Sequence, residues 1–154
     1  MKLSDLIKQE QFESPDQEAL LNVLVTSSWI LNALAATMVP YGVTPAQYNV
    51  LRILRGSHPQ RLTCSALGQR LLDRTPDVTR LLNRLERHGL IHRARAEHDR
   101  RVVQVGITET GLALLIRMRD AIEAAEQRLI GHLSSSEHQH LSRLLERMRA
   151  NQQP

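Results

Sequence analysis

The 154-residue sequence predicts a mainly α-helical protein with a small β-hairpin wing: a winged helix-turn-helix domain flanked by N- and C-terminal dimerisation helices. Apolar residues recur at helical spacing over most of the chain, a short capped helix ends at a glycine, and two short β-type runs follow around a basic tip. These three observations predict an N-terminal arm and helix at 1–40, the winged domain at 41–107 and C-terminal helices at 108–154.

Composition narrows the class of protein. With 42% hydrophobic residues the chain can bury a core, which must consist mainly of Leu, Ile, Val and Ala because only four residues are Phe, Trp or Tyr. The single cysteine, Cys64, excludes an internal disulfide framework and is typical of a reducing cytoplasm. No apolar run approaches the ~20 residues that span a bilayer, and the N-terminus has no secretion-signal pattern. These features predict a cytoplasmic protein without a membrane partner.

The N-terminal part predicts an arm followed by one long helix. Residues 1–15 are polar and of mixed charge, which indicates a loose or partner-dependent arm. Apolar residues then keep a helical period from about residue 16 to residue 39, and the tripeptide Pro40-Tyr41-Gly42 ends the helix. The apolar surface of this helix is broad, so we expect it to pack against more than one neighbour.

Two shorter helices are predicted next. Thr44 and Pro45 provide an N-cap and a proline at the first helical position. Leu62 is predicted to be extended, and Thr63 is predicted to cap a short helix over residues 64 to about 72. This short helix is the first member of a predicted helix-turn-helix.

The second helix of that motif has two chemically different faces. Thr75 is its predicted N-cap and Pro76 its first helical residue, which places Asp77 in the first turn. Four apolar residues at i, i+3, i+4 and i+7 form the predicted buried side: Val78, Leu81, Leu82 and Leu85. Five polar residues lie opposite this side or on its flanks: Thr79, Arg80, Asn83, Arg84 and Arg87.

The polar face is typical of a helix that enters a major groove, where Arg contacts guanine, Asn pairs with adenine and Thr contacts a base edge. A solvated surface helix has the same pattern, so the following segment decides between them. Gly89 is predicted to end the helix, and residues 90–94 and 102–107 predict two strands around a basic tip at 96–100. Residues 61–101 also carry ten Arg against five acids, a charge suited to a polyanion. Together these features predict DNA binding.

The last two helices leave a choice between a dimer and a bundle. Thr108 is predicted to cap a long helix that tolerates Gly111 and is broken at Gly131, and Ser136 or a neighbour is predicted to cap the final helix. The terminal helices have apolar faces wide enough to pack against a second chain, and a two-fold dimer would hold two recognition helices about 34 Å apart. A monomeric helical bundle uses the same patterns and is the alternative.

The order of these motifs resembles the multiple-antibiotic-resistance regulator (MarR) family of bacterial winged helix-turn-helix repressors. The resemblance covers roughly residues 16–150 and is most specific in TPDVTRLLNRLERHGLI, in the wing Asp99-Arg100-Arg101, and in Thr108-Glu109-Thr110-Gly111. It implies a homodimer in the bacterial cytosol that binds double-stranded DNA at a palindromic promoter site. It also implies release of DNA when a small lipophilic anion binds or when a cysteine is oxidised.

The predicted DNA contacts fall in three groups. The recognition-helix group is Pro76, Asp77, Thr79, Arg80, Asn83, Arg84 and Arg87. The wing group is Arg95, His98, Asp99, Arg100 and Arg101. The phosphate group is Thr63, Ser65, Gln69 and Arg74.

Two aspartates in these groups have alternative roles. The resemblance implies that Arg101 approaches the minor groove while Asp99 orients neighbouring arginines, which fits the negative potential of a narrow groove. Asp99 could instead be a simple turn residue, and Arg100 could be the inserted side chain. Asp77 is unfavourable beside DNA unless it accepts from a cytosine amino group or orients Arg80.

The resemblance also implies an inducer site between the first helices and the DNA-binding lobe. Aromatic side chains could line an apolar pocket there and Arg52 could receive a carboxylate, although ordinary core packing is the alternative. The predicted pocket residues are Trp29, Met38, Tyr41, Tyr48 and Arg52. Cys64, at a predicted helix N-terminus, is a candidate redox switch. The family's peroxide sensors carry their cysteine in the N-terminal helix, so a buried small residue is the alternative here.

Other classes of protein have less support. The sequence contains no Gly-rich phosphate loop, no Ser/Cys-His constellation and no Cys/His spacing that fits a zinc site, which predicts a non-enzyme without a cofactor or a metal. A winged-helix adaptor that binds protein without specific DNA binding is one alternative function. A redox-responsive regulator that uses Cys64 is the other.

Overall fold

A computed structural model of the chain describes residues 1–72, 77–96, 99 and 101–150. The helices are α1 (Leu3–Ile7), α2 (Pro15–Met38), α3 (Pro45–Ser57), α4 (Cys64–Gly68), α5 (Val78–Arg87), α6 (Glu109–Ile130) and α7 (Ser135–Arg149). The strands are β1 (Leu62–Thr63), β2 (Ile91–Arg95) and β3 (Val103–Ile107). The predicted mainly helical fold with a small wing is confirmed.

Most helix boundaries lie close to the predicted positions because the capping residues act as expected. Thr44 and Gln47 form a reciprocal capping box at the start of α3, with Pro45 as its first residue. The side chain of Thr63 accepts from the amide of Ala66 and caps α4. The cap of α7 is Ser134 rather than Ser136, because the Ser134 hydroxyl accepts from the amide three residues later.

Three predictions about the elements need correction. The arm at 1–15 is not uniformly loose, since α1 lies within it and Leu3 is buried. Helix α4 is shorter than predicted and ends at Gly68. The wing is part of a three-stranded sheet rather than a two-stranded hairpin, because β1 pairs antiparallel with β3 on the side away from β2.

The sheet register determines which wing residues face the helices. Strands β2 and β3 pair antiparallel from Ile91 opposite Ile107 to Arg95 opposite Val103. Side chains alternate along a strand, so Ile91, Arg93 and Arg95 share one face with Val105. Both Ile91 and Val105 are buried, which shows that this face packs against the core.

The core lies inside the winged domain, residues 41–107, which we call the winged module, and it extends into α6. Its members come from the end of α2, from α3, α4 and α5, from the sheet and from α6, so each short element is held by several others. The largest fully buried side chains are Met38, Leu51, Leu54, Leu67, Leu82, Leu85, Met118, Val50 and Val105. This packing fixes α5 on the sheet with its polar face outward.

Gly111 is required by the packing and is not merely tolerated as predicted. A Cβ atom at this buried position would collide with the backbone carbonyl oxygen of Leu90 and would lie 2.7 Å from a side-chain carbon of Ile107. Thr108, the N-cap of α6, is also tied to the end of α5, because its Oγ1 donates to the carbonyl of Gly89 at 2.7 Å. The start of α6 is therefore joined closely to the end of α5.

The outer helices leave apolar side chains uncovered. Helix α2 packs along α6, yet Leu20, Leu24 and Leu31 remain about half exposed. Helix α7 has no buried residue, and Leu144 is 46% exposed. These faces lie on helices that the sequence predicts to take part in dimerisation.

One helix also bears on the expectation that no apolar run reaches membrane-spanning length. The segment Pro15–Tyr41 has 27 residues and contains an 18-residue window with a mean hydropathy of 1.6, so it is long and apolar enough to cross a membrane by length and composition alone. That expectation is therefore wrong. A helix with a broad apolar interface passes the same test, so this single helix is weak evidence for a membrane span.

Candidate nucleic-acid interface

The recognition helix α5 begins later than predicted. Its N-cap is Asp77, whose Oδ1 accepts from the amide of Arg80 at 3.1 Å, and Val78 is the first helical residue. The predicted cap Thr75 and first residue Pro76 lie outside the described residues. Asp77 is thus not a first-turn residue, and its carboxylate is engaged with backbone at the positive end of the helix dipole.

Gly89 fixes the other end of α5, as predicted. It has a φ of 67°, and its amide donates to the carbonyl of Glu86 while the amide of Leu90 donates to that of Leu85. This pair of hydrogen bonds is a Schellman motif, which favours glycine at the left-handed position. The chain then turns directly into β2, so the helix and the wing are separated by only three residues.

The two faces of α5 are divided as the spacing predicts. Leu82 and Leu85 are buried, and Val78 and Leu81 are half-buried against the core. The predicted contact residues on the opposite side are all exposed: Thr79, Arg80, Asn83, Arg84 and Arg87. A helix with three exposed arginines and a buried apolar side can enter a major groove without losing its own packing.

Arg93 links this helix to the wing, and sequence reasoning missed it. Its Nη2 donates to Asn83 Oδ1 at 2.6 Å, and its Nε lies 3.5 Å from Glu86 Oε2 without forming a hydrogen bond. The β-strand alternation was the available signal, because it places Arg93 on the same face as Ile91. An arginine at a core-facing position needs a polar partner nearby.

The wing carries arginines at both described sides of its tip. Arg95 ends β2, and both Arg95 and Arg101 are exposed. Asp99 Oδ1 accepts from the backbone amide of Arg101 at 2.9 Å, so Asp99 acts here as a turn residue, which was the alternative to orienting arginine side chains. The remaining predicted wing contacts, His98 and Arg100, lie outside the described residues.

The predicted phosphate contacts are placed around α4. Ser65 and Gln69 are exposed, whereas Thr63 is half-buried and its hydroxyl oxygen is occupied in capping. The fourth, Arg74, lies outside the described residues. Ser65 and Gln69 are therefore the more accessible members of this group.

The predicted inducer pocket is not assembled in one place. Met38 is buried in the core, and Trp29 lines a separate cavity between α2 and α6. Tyr48 and Arg52 stack on each other, with the guanidinium carbon 5.9 Å from the ring centroid. Burial raises the pKa of Tyr48 although Arg52 opposes the shift, which keeps the hydroxyl protonated.

A different cavity, of about 310 Å³, lies at the junction of α5 and α6. Of the five predicted pocket residues, Tyr41 is the one that lines it. The other lining residues combine apolar groups with two basic side chains: Gly42, His88, Leu90, Thr110, Ala113, Leu114 and Arg117. Its volume is at the lower end of the range for small-molecule sites, about 300–1,000 Å³.

Cys64 is the remaining candidate reactive group. Cys64 is a free thiol, half-buried and packed against the core at the start of α4. This environment is more typical of a small buried residue than of an exposed reactive cysteine. Within the described ranges, no group of three or more His, Cys, Asp or Glu residues is arranged to hold a metal ion.

The sequence and the fold of this chain are similar to those of known proteins. A family model described as the MarR family matches residues 41–102. The homoprotocatechuate degradative operon repressor of Escherichia coli is 30% identical over 106 residues, which is 69% of this chain and 70% of that protein. A MarR transcription factor from Planctomyces limnophilus is 34% identical with a TM-score of 0.69, over 88% of this chain and 98% of that one. A mutant MarR from E. coli, crystallised with operator DNA, is 26% identical with a TM-score of 0.74, over 82% of this chain and 89% of that one.

The family match covers α3, α5 and the start of the wing, where the exposed arginines and the capped recognition helix lie. The structural similarity extends beyond it to the flanking helices. The chain therefore belongs to the MarR family of winged helix-turn-helix transcriptional regulators, which are DNA-binding proteins.

Proposed function

We propose that this protein is a repressor that binds a pseudo-palindromic promoter site as a homodimer. The exposed polar face of α5 carries the proposal, because it presents Arg80, Arg84 and Arg87 beside a wing with Arg95 and Arg101. Each protomer would insert α5 into the major groove and the wing into the adjacent minor groove. Two similar proteins support this proposal: the E. coli MarR mutant was crystallised with operator DNA, and the E. coli relative is an operon repressor.

The uncovered apolar faces support the dimer. Leu144 and its neighbours on α7, with Leu20 and Leu24 on α2, lack cover within the protomer. A two-fold dimer would bury them and space the two copies of α5 by about 34 Å, one turn of duplex. We place the dimer in the cytosol, with the apolar face of α2 at the subunit interface rather than in a membrane.

The binding test uses duplexes selected from a random library by the wild-type protein. We expect a pseudo-palindrome of about 20 base pairs, bound with nanomolar affinity that falls steeply with salt. Arg80→Ala and Arg101→Ala should each remove most of the discrimination against unrelated duplex and leave the circular dichroism unchanged. Arg119→Ala, an exposed arginine of α6 paired with Asp120, is the matched control.

Two results would refute the proposal. Footprints of both variants identical to wild type would show that another surface contacts the operator. Equal competition by the selected site and by bulk duplex would favour the protein-binding adaptor.

We also propose that a small aromatic anion releases the DNA by occupying the junction cavity. Arg117 supplies positive charge, the His88 ring supplies a polar group, and Tyr41 and Leu90 supply apolar contact. Because His88 is the C-cap of α5, a ligand there would favour dimers in which α5 no longer matches the groove spacing.

A thermal-shift screen of aromatic acids tests the ligand. An acid that binds should raise the melting temperature and weaken binding to the selected duplex, and Arg117→Met should reduce both effects. An acid that stabilises the protein through this cavity without changing DNA affinity would refute the switch.

A further inference from the structure

The amide of Asn83 is held from the sheet rather than left to rotate. Asn83 is exposed in the middle of α5, and its Oδ1 accepts from Arg93 Nη2 at 2.6 Å. Glu86, one turn later, lies 3.5 Å from the Nε of the same guanidinium. One arginine of β2 therefore engages two residues of the recognition helix.

The chemistry of the pair fixes which end of the amide faces Arg93. A guanidinium has only donors, whereas an asparagine amide has one accepting oxygen and one donating NH₂ group. The reverse orientation would place the NH₂ group against the cation. The oxygen is thus turned to the sheet, and the NH₂ group is the end available to DNA.

Arg93 itself has little freedom to move. Its Cα lies opposite the buried Val105 in the sheet, it shares a face with buried Ile91, and its side chain is only 24% exposed. A side chain held along its aliphatic stem retains its head-group position better than one on an open surface. The orientation of Asn83 is therefore set before DNA binds.

We propose that Arg93 is a specificity-positioning residue, which turns Asn83 into a hydrogen-bond donor that selects guanine or thymine in the major groove. An asparagine that recognises adenine must present both its oxygen and its NH₂ group to the base edge. Here the oxygen is turned to Arg93, so the NH₂ group is the end that meets the base edge, where guanine O6 and N7 and thymine O4 accept from it. Adenine N7 accepts as well, but the adjacent adenine N6 amino group would then face no acceptor, so guanine and thymine are preferred. This inference rests on the proposed DNA binding and corrects the adenine contact expected from the residue type.

The first experiment needs no DNA. Arg93→Met retains most of the aliphatic stem and removes the guanidinium, and Arg119→Met removes the same charge far from the interface. The side-chain amide resonances of Asn83 in a ¹⁵N spectrum should shift in Arg93→Met and stay in place in Arg119→Met. Unchanged resonances in both variants would show that Arg93 does not hold the amide.

The second experiment measures base preference by selection from a random duplex library. Asn83→Ala identifies the base pair contacted by Asn83, as the position whose preference it removes. The wild type should prefer guanine or thymine there, and Arg93→Met should weaken that preference about tenfold and admit adenine, with the other positions unchanged. The double variant should match Asn83→Ala, because Arg93 acts only through Asn83.

The possible outcomes separate this inference from the proposed function. Selection of adenine at that position by the wild type, a wild-type profile in Arg93→Met, or an Asn83→Ala variant with every preference intact would each overturn it. If the wild type enriches no sequence, the proposed function fails, whereas the amide resonances still report whether Arg93 orients Asn83.

Discussion

The winged module and the outer helices contain the same apolar residue types, but these side chains are buried in the module and exposed on the outer helices. In the module, Leu82 is 1% exposed because the sheet, α3 and α4 surround it. In α7, Leu144 belongs to an equally regular apolar stripe but is 46% exposed, and no residue of that helix is buried. The module is thus complete within one chain, whereas the outer helices present a surface that a second copy would complete.

A charge placed on the uncovered stripe should have the largest effect. Leu144→Glu would bury an unpaired carboxylate in the proposed subunit interface, which costs several kilocalories per mole. We expect sedimentation equilibrium to report half the wild-type mass, with loss of tight operator binding and little change in helix content. Gln139→Glu, which adds the same charge on the opposite side of α7, should remain dimeric. A dimeric Leu144→Glu protein would show that α7 is not in the interface.

A cavity in the module should have the next largest effect. The resulting loss of stability should not depend on protein concentration, whereas the loss of dimerisation should. Leu82→Ala removes a fully buried side chain between α5 and its neighbours, so we expect a loss of about 2–5 kcal/mol in the free energy of unfolding. Urea denaturation curves recorded at several protein concentrations check this loss. Leu72→Ala is the matched control, because Leu72 is 89% exposed. Similar losses in the two variants would contradict the division between core and surface.

The junction between the two regions can be tested with two glycines. Gly111→Ala would force a methyl group against the Leu90 carbonyl and separate α6 from the wing, so we expect a loss of about 1–3 kcal/mol. Gly56→Ala, within α3, meets nothing within 4 Å and should stabilise the protein by about 0.5–1 kcal/mol. Thermal unfolding of both variants measures the two signs. A stabilised Gly111→Ala protein would show that the close approach is not rigid.

Local chemistry explains which elements were predictable. Thr44, Thr63, Thr108 and Gly89 determine helix ends through hydrogen bonds or backbone angles that involve only nearby residues, and each acts where the sequence places it. The apolar spacing of α5 likewise identifies its buried side. These signals are local, so one sequence is sufficient to recognise them.

The features that were missed depend on contacts between distant segments. The pairing of β1 with β3, the close approach of Gly111 to Leu90 and the Arg93–Asn83 hydrogen bond each join residues that helical or strand spacing cannot relate. The predicted pocket residues do not share one cavity within the protomer for the same reason, since Met38 and Trp29 follow helical periodicity but face different surroundings. Their positions follow from tertiary packing.

The smallest predicted effect separates two roles of one residue at the DNA-facing end of the module. Asp77 caps α5 but places a negative charge beside the expected phosphates, so stability and DNA affinity oppose each other there. Asp77→Ala should lose about 1 kcal/mol of stability with the cap. Asp77→Asn retains a capping oxygen and removes the charge, so it should unfold like wild type in urea. It should also bind the selected duplex more tightly than wild type does, and this gain in affinity should be larger at low salt than at high salt. If Asp77→Asn weakens binding at every salt concentration, the carboxylate itself contacts the DNA, as acceptance from a cytosine amino group would require.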